Sequence, residues 1–529
     1  MSDILLIQPP IRDFYLTAKR TIPYGLTSIA SLLLQEGFDV EIIDGLASKK
    51  SHIIPLPVEM GYLREYYTES DISPFSLFYH YRHYGYSFEH IGLQARKSGA
   101  YLVGISSLFT PYAEEALKVA EVVKRNLPGC KIVMGGHHPT SLPLEVLKHP
   151  AVDLVLRGEG EVSMPLLARA LKENTPVRTI PGICFLDEQK QPIIKPPALM
   201  DNVSAFPPPA FQLINQKYYQ RNKRGTTVIM AGRGCPMKCT YCSVSRTSYL
   251  SYRTRSLESI LEELEMAINR HDARFIDFED ENLSFNRRWF HELLDKIIEN
   301  FGTVDLELRA MNGLLPSSLD EDLIVKMKQA GFTALNLSLC TIAKPQLERF
   351  SRPDVREAFE TAVNLAAKHD LVCSGYIIVG APGQDPADSV KDLLFLADKR
   401  VLAGVSAFYP SPGSIEFERC KNRNLLPLRL SLTRSSALPL SDTTTRKEVI
   451  TLLRLGRILN FMKFLVDTKD QKQEKEKTDI GKHLLEMFFN DGKIRGIDET
   501  GKVYEQAASM ELTRQFISGL KKIKIKGVH

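Results

Sequence analysis

Long apolar runs are the first thing this sequence lacks. Stretches such as "DLLFLA" and "ILNFMKFLV" fall far short of the roughly 20 residues that cross a bilayer, so no membrane span is expected. No basic segment precedes the apolar residues of "MSDILLIQPP", which read as a first strand and not as a signal peptide. Cysteine is scarce, with eight in 529 residues. Without a secretion signal this excludes a disulfide framework and predicts a reducing, cytoplasmic setting. An excess of one charge is missing too. Lys and Arg number 68 against 63 Asp and Glu, and the net +5 is too mild to argue for a nucleic-acid partner. The basic tail "GLKKIKIKGVH" adds only weak evidence for one.

What is present is the balance of a soluble globular protein, 43% hydrophobic and 25% charged, in a chain long enough for two or three domains. Residues 1–195 alternate strands ("DILLIQPP", "DVEIIDG", "YLVGISSL", "KIVMGGHHPT", "VDLVLRGEGE") with helices ("GLTSIASLLLQEG", "YAEEALKVAEVVKRNL"). Continuous Val, Ile and Leu in strands separated by helices predict an α/β, doubly wound (Rossmann-like) parallel sheet, with its ligand at the carboxyl ends of the strands. An aromatic insertion over roughly 50–90 interrupts the series. It reads equally well as a ligand-lining segment or as a cap on the sheet edge. The proline-rich passage "KPPALMDNVSAFPPPAF" places a linker at 196–225.

A second alternating series over 226–425 predicts a full or partial (β/α) barrel of TIM type, again with its chemistry at the carboxyl ends of the strands. Residues 426–529 read as a small helical and mixed C-terminal domain. The run "DTKDQKQEKEKTD" within it reads as a solvated helix face or loop.

Directly after the first barrel strand comes "AGRGCPMKCTYCSVSR", with Cys235, Cys239 and Cys242 spaced CxxxCxxC. The other five cysteines, Cys130, Cys184, Cys340, Cys373 and Cys420, are scattered singly. Structural zinc closes with four ligands, and no fourth is evident nearby. Four-iron clusters also usually take four thiolates. A triad would leave one iron open to a small molecule.

This loop, with Tyr241 before its last cysteine and the lead-in Arg233-Gly234-Cys235-Pro236, resembles the radical S-adenosylmethionine superfamily. The motifs that follow agree: "FEDENLSF" with Asp280 and Glu281, "MKQAGFTALNLSL", "GYIIVGAPGQD" and "FYPSPGS". The resemblance implies that Cys235, Cys239 and Cys242 ligate a 4Fe-4S cluster that reduces S-adenosylmethionine to methionine and a 5′-deoxyadenosyl radical. It also implies an electron donor such as flavodoxin or ferredoxin. Tyr241, Asp280, Ser338, Gly380, Pro382 and Gly383 are implied around S-adenosylmethionine. Arg309 either reaches its carboxylate or sits in a structural ion pair. Where the family carries Gly-Ile-Glu-Ser this chain has Ser338-Leu339-Cys340-Thr341, and Gln384 stands for a usual Glu. Polar contacts there are left to Ser338, Thr341 and Gln384.

The first domain in turn resembles the cobalamin-binding domain that precedes many such barrels. Pro9, Ser106, Ser107, Gly135, Gly136, His137, Gly158 and Glu159 are the residues implied at the cofactor. The DxHxxG signature that gives cobalt a histidine is absent. His137 and His138 read equally as loop histidines without a metal. Together the two resemblances imply a cobalamin-dependent radical enzyme that methylates an unactivated carbon or phosphorus of a small-molecule substrate. Ring formation or rearrangement without methylation, and a cluster- and cobalamin-binding sensor, are the alternatives. Methylthiolation of transfer RNA would need three further cysteines in residues 1–195, where only Cys130 and Cys184 stand.

Overall fold

Neighbouring residues of the N-terminal strands enter two different cores. Leu5, Ile7, Val103, Ile105, Ile132, Met134 and Val155 pack to one side, under the helices Phe88–Ser98 and Ala113–Asn126. Ile4, Leu6, Leu102, Val133, Leu154 and Leu156 pack to the other, under Tyr24–Gln35 and Gly160–Lys172. A strand buried on both faces needs apolar residues at every position, which is why these segments are continuous and not alternating. The computed structural model describes residues 2–14, 22–67, 70–77, 80–244, 252–433, 440–467 and 475–523. Most of the charged run after Asp467 and the end of the basic tail lie outside the described residues.

The first sheet has seven strands in the order Pro192–Ile194, Ile183–Leu186, Leu154–Leu156, Lys131–Gly135, Leu102–Ser106, Ile4–Gln8, Val40–Asp44. The last five are parallel, and the two at the opposite edge, which the sequence pattern does not announce, are antiparallel. The strand order reverses between Ile4–Gln8 and Leu102–Ser106, which puts the ligand crevice beside Pro9, Ser106 and Ser107. Part of the aromatic insertion pairs as a small antiparallel sheet of Ile11–Asp13, Arg82–Tyr84 and Ser51–Ile53.

The barrel is partial. Strands Arg224–Ile229, Ala273–Phe278 and Glu307–Arg309 form one parallel set, and Ala334–Cys340, Val372–Val379 and Leu402–Ala407 form a second. Among the described residues, strand pairing between the two sets is limited to the isolated pairs Leu308–Phe332 and Leu314–Leu337. The far edge of the last strand is covered by the helix Arg446–Asp467, whose Asn460 accepts from the Ala403 N–H (2.7 Å) and donates to the Ala403 carbonyl (2.9 Å). A side-chain amide thus completes the backbone pairing of an edge that would otherwise invite another strand. The C-terminal helices do not build a separate core: Val449, Leu452, Phe488, Leu512 and Phe516 are continuous with the barrel interior.

Where the chain returns from the cysteine loop, Arg255 is 2% exposed and pairs with the fully buried Glu263 at 2.6 Å. Tyr24 of the first domain also reaches Glu263 (3.3 Å), and Trp289, the only tryptophan, donates to the Arg255 carbonyl (3.0 Å). Removing one partner of a buried pair leaves an uncompensated charge. Arg255→Met is therefore expected to destabilise the barrel by about 3–5 kcal/mol, and the double change Arg255→Met/Glu263→Leu to recover most of that. Urea unfolding followed by Trp289 fluorescence reads the site directly, and equal loss in the single and double variants would contradict the account.

Candidate active site

The cysteine loop hangs between two short strands, Gly232–Arg233 and Arg253–Thr254, which pair antiparallel at its base. Each anchor in it has an acidic partner. Asp280 accepts from the Ala231 N–H (3.0 Å) and Glu281 from the Gly234 N–H (3.1 Å). The Thr240 hydroxyl lies 3.0 Å from the Arg349 carbonyl and 3.2 Å from the buried Glu416 carboxylate. Cys239 is buried and Cys235 and Cys242 are half-buried, all as free thiols. Burial, with a smaller contribution from the neighbouring cysteines, pushes the Cys235 thiol up and the Cys242 thiol to about 11. Three thiols this close can ionise together only if a cation takes the protons' place, which is the donor chemistry of a metal cluster. A triad without an evident fourth ligand suits a polynuclear group with one open iron better than closed structural zinc.

Around the expected S-adenosylmethionine site, most polar groups are already engaged. Tyr241 stacks edge-on against Phe350 (4.8 Å), and its hydroxyl meets Arg352 (3.1 Å). Ser338 accepts two bonds from Arg352, at its carbonyl (2.9 Å) and hydroxyl (2.8 Å). Thr341 donates to the buried Asp392, and Gln384 bridges the Ala381 N–H and the Ile378 carbonyl, both at 3.0 Å. Arg309 folds back on Glu307 (2.8 Å) over the Phe275 ring. Cys340, where the family's glutamate would stand, is buried at φ +73° beside a register shift in its strand. A non-glycine residue held in that region is strained, which marks the strand end as a constrained position. Gly380 and Gly383 also have positive φ, which disfavours any side chain there, and a Cβ at Gly380 would in addition lie 2.5 Å from the Val449 side chain. Pro382 lies buried between them.

On the first domain, Ser107 is buried and its hydroxyl has no hydrogen-bond partner among the described residues. Beside it Leu108 and Phe109 are 40% and 53% exposed. An orphaned hydroxyl and bare apolar side chains at the strand-order reversal fit a large cofactor that carries both amides and apolar faces. Pro9 is buried at the end of the first strand, and Ser106 is half-buried. Gly136 and Gly158 have positive φ, and added Cβ atoms would strike the backbone at Ser107 (2.6 Å) and Ala198 (2.2 Å); Gly135 has open space. His137 is exposed, and although desolvation lowers its pKa, the charge of Glu281 acts on it from the barrel side. His138 is buried against the Thr110 hydroxyl (3.1 Å), with burial pushing its pKa down to about 4.

Glu159 is engaged across the domain boundary. It pairs with Arg253 (2.8 Å) and Arg233 (3.3 Å), while Glu161 pairs with Arg233 (2.5 Å). On another side of the seam Tyr409, after the sixth barrel strand, bonds Thr110 and Thr433. A cavity of about 240 Å³ opens nearby, between the insertion and the 429–432 segment, lined by Arg12, Tyr81, Glu114 and Arg429. The sequence reading missed Arg352, Asn282 and the pairing of the "RGEGE" acids. The Gly-Arg-Gly lead-in was the only local signal for the last.

Burial raises the Asp280 pKa to about 8, against two backbone donors that lower it. The folded apoprotein therefore holds a proton that the unfolded chain releases near 3.8, and its stability falls as pH rises between those two values. Asp280→Asn cannot ionise, so the loss of urea stability from pH 5 to pH 8 is expected to shrink. An unchanged pH slope would show that Asp280 is ionised throughout.

Comparison with known proteins supports the same division of labour. Residues 77–168 match the family model of the B12 binding domain, and residues 229–396 match that of the Radical SAM superfamily. The chain is 26% identical to the uncharacterized methyltransferase PH0819 of Pyrococcus horikoshii, over 80% of this chain and 84% of that protein. It is 24% identical to the cytidylyl-2-hydroxyethylphosphonate methyltransferase of Streptomyces wedmorensis, over 82% and 84%. It is also 28% identical to the anaerobic magnesium-protoporphyrin IX monomethyl ester cyclase of Cereibacter sphaeroides, but spans only 44% of that protein. In fold it resembles the radical S-adenosylmethionine methyltransferase TsrM from Kitasatospora setae, solved with cobalamin and a 4Fe-4S cluster (TM-score 0.61, 17% identity, 80% of this chain and 75% of that one). The cobalamin-dependent radical enzyme OxsB is alike in fold as well (TM-score 0.61, 14% identity, 99% and 79%). Both family models match in this order on one chain, so it carries a B12-binding domain followed by a radical S-adenosylmethionine domain.

Proposed function

We propose that this enzyme methylates an unactivated carbon or phosphorus of a small molecule, in the cytoplasm, with electrons from a low-potential donor such as flavodoxin or ferredoxin. The observation that carries the reading is the contact between strand-end segments of the two domains. The base of the cysteine loop docks on the segment after the strand Leu154–Leu156, where Arg233 and Arg253 pair with Glu159 and Glu161, and the charge of Glu281 acts on His137 of the first domain. No described helix is long and apolar enough to cross a membrane, which accords with that setting.

When bound, the cluster with S-adenosylmethionine supplies a radical that abstracts hydrogen, and cobalamin supplies a methyl group. The chain's part is to hold, orient and exclude water. In this reading Cys235, Cys239 and Cys242 ligate the cluster, and Tyr241, Gly380, Pro382 and Gly383 border S-adenosylmethionine. Pro9, Ser106, Ser107, Gly135 and His137 border cobalamin. Asp280, Ser338, Gly136, Gly158 and Glu159 act one step back, by fixing the loops that make those contacts. Residues 1–195 then serve as the cobalamin domain, 196–225 as linker, 226–425 as the radical barrel and 426–529 as its C-terminal cover. The likeness to a cyclase favours a second reading, ring formation without methyl transfer.

Anaerobically reconstituted protein is expected to hold one four-iron cluster, and replacing Cys235, Cys239 and Cys242 by Ala to abolish both iron binding and cleavage of S-adenosylmethionine. A triple variant that keeps its iron and still forms 5′-deoxyadenosine would refute the assignment. In turnover with substrate, S-adenosylhomocysteine and 5′-deoxyadenosine are expected together in comparable amounts, because methyl supply and radical initiation would each consume one S-adenosylmethionine. Product and 5′-deoxyadenosine with S-adenosylhomocysteine at background would replace methylation by cyclisation or rearrangement.

A further inference from the structure

We infer that Arg352 and Asn282 set the reduction potential of the cluster by donating hydrogen bonds to two of its cysteine sulfurs. Arg352 Nη1 lies 3.7 Å from Cys239 Sγ, and Asn282 Nδ2 lies 3.6 Å from Cys235 Sγ. The two come from opposite sides of the loop: Asn282 follows the acidic pair after the second barrel strand, and Arg352 follows the short helix Lys344–Arg349 after the fourth. The inference rests on the radical enzyme reading above, and concerns how this chain prepares its cluster to accept an electron.

The Arg352 guanidinium is held in place from behind. Nη2 donates to the Ser338 carbonyl and hydroxyl, and Nη1 also meets the Tyr241 hydroxyl. Among the described residues none of its partners is a carboxylate, and its Nε is buried without a partner, as is Asn282 Oδ1. A largely buried guanidinium without an acid is costly unless some other anion lies beside it. Three thiolates on a cluster are such an anion, and Cys239 is the one in reach. One electron from a low-potential donor adds a further negative charge there, which the guanidinium and the amide N–H offset. Hydrogen bonds and positive charge at cluster sulfurs raise the potential by favouring the reduced form. Arg352 and Asn282 are positioning residues in this sense, acting through the cysteines.

The test is a redox titration of the reconstituted protein, with the reduced cluster read by electron paramagnetic resonance and iron content measured alongside. Arg352→Met is expected to lower the reduced-to-oxidised ratio at fixed poise about tenfold, which is 59 mV for a one-electron couple. Arg352→Lys keeps the charge and is expected to stay near wild type. Arg352→Gln keeps a donor without charge and is expected to fall between them. Asn282→Leu should shift the same way by less. An unmoved potential in iron-loaded Arg352→Met or Arg352→Gln overturns the inference. So does failure of all three Arg352 variants to load iron, since the residue would then only hold the loop. If the wild type itself binds no four-iron cluster, the enzymatic reading fails instead.

Discussion

Two arginines placed side by side at the base of the cysteine loop govern how this molecule is put together. Arg233 and Arg253 are directly opposite one another in the two-stranded ribbon that closes the loop, an arrangement of like charges that destabilises a strand pair on its own. Glu159 and Glu161, from the first domain, neutralise them in a nearly dry interface where all four side chains are no more than 14% exposed. Arg253 also donates to the Met200 carbonyl at the start of the linker. Farther along, the Phe206 ring lies between the guanidinium groups of Arg233 and Arg255. The ribbon that carries the cysteines is thus stable only when the first domain is docked on it. Cluster loop and cobalamin-domain crevice are positioned by the same four charges.

The rest of the chain is tied together by buried contacts between segments far apart in sequence. Arg454, buried in the long C-terminal helix, donates to the Ala507 carbonyl (2.7 Å) and the Tyr66 carbonyl (3.0 Å), which ties the tail to the aromatic insertion. Asp71 of the insertion accepts from Gln506, and Phe14, Met60, Leu63 and Tyr81 pack with Leu432 and Leu440. Insertion and C-terminal region are far apart in sequence yet form one cover. A radical reaction needs such a cover, because water competes for every reactive species it does not exclude.

Much of the chemistry was legible because it is local. Three cysteines within eight residues need no tertiary contact to be recognised, and the glycines and prolines of "GAPG" and "SPG" mark their turns wherever they occur. The doubly wound sheet was equally readable, since double-sided burial writes itself as unbroken Val, Ile and Leu. What a local pattern does not carry is chemistry that depends on a distant partner. Glu159, in a strand-end loop, pairs with Arg233 and Arg253 across the domain boundary. Thr341 and Gln384 looked available and are committed to Asp392 and to their own loop. Arg349, Arg352 and Arg356 are near-identical on paper, yet of the three Arg352 alone reaches a cysteine of the triad, because the turn after Phe350 aims it inward.

By itself, then, the sequence determined the order of the two α/β units, the cysteine triad at the first barrel strand's carboxyl end and the strand-end loops that flank it. These follow from hydrophobic period, turn chemistry and ligand spacing, all of which act over a few residues. Only the tertiary structure decided that the barrel stays partial, that the insertion and tail share one cover, and which charges face the cysteines. Those outcomes depend on pairings across hundreds of residues, such as Asn460 with the edge at Ala403 or Glu161 with Arg233. A buried charge is tolerated only where its partner arrives, and no local pattern records where that will be.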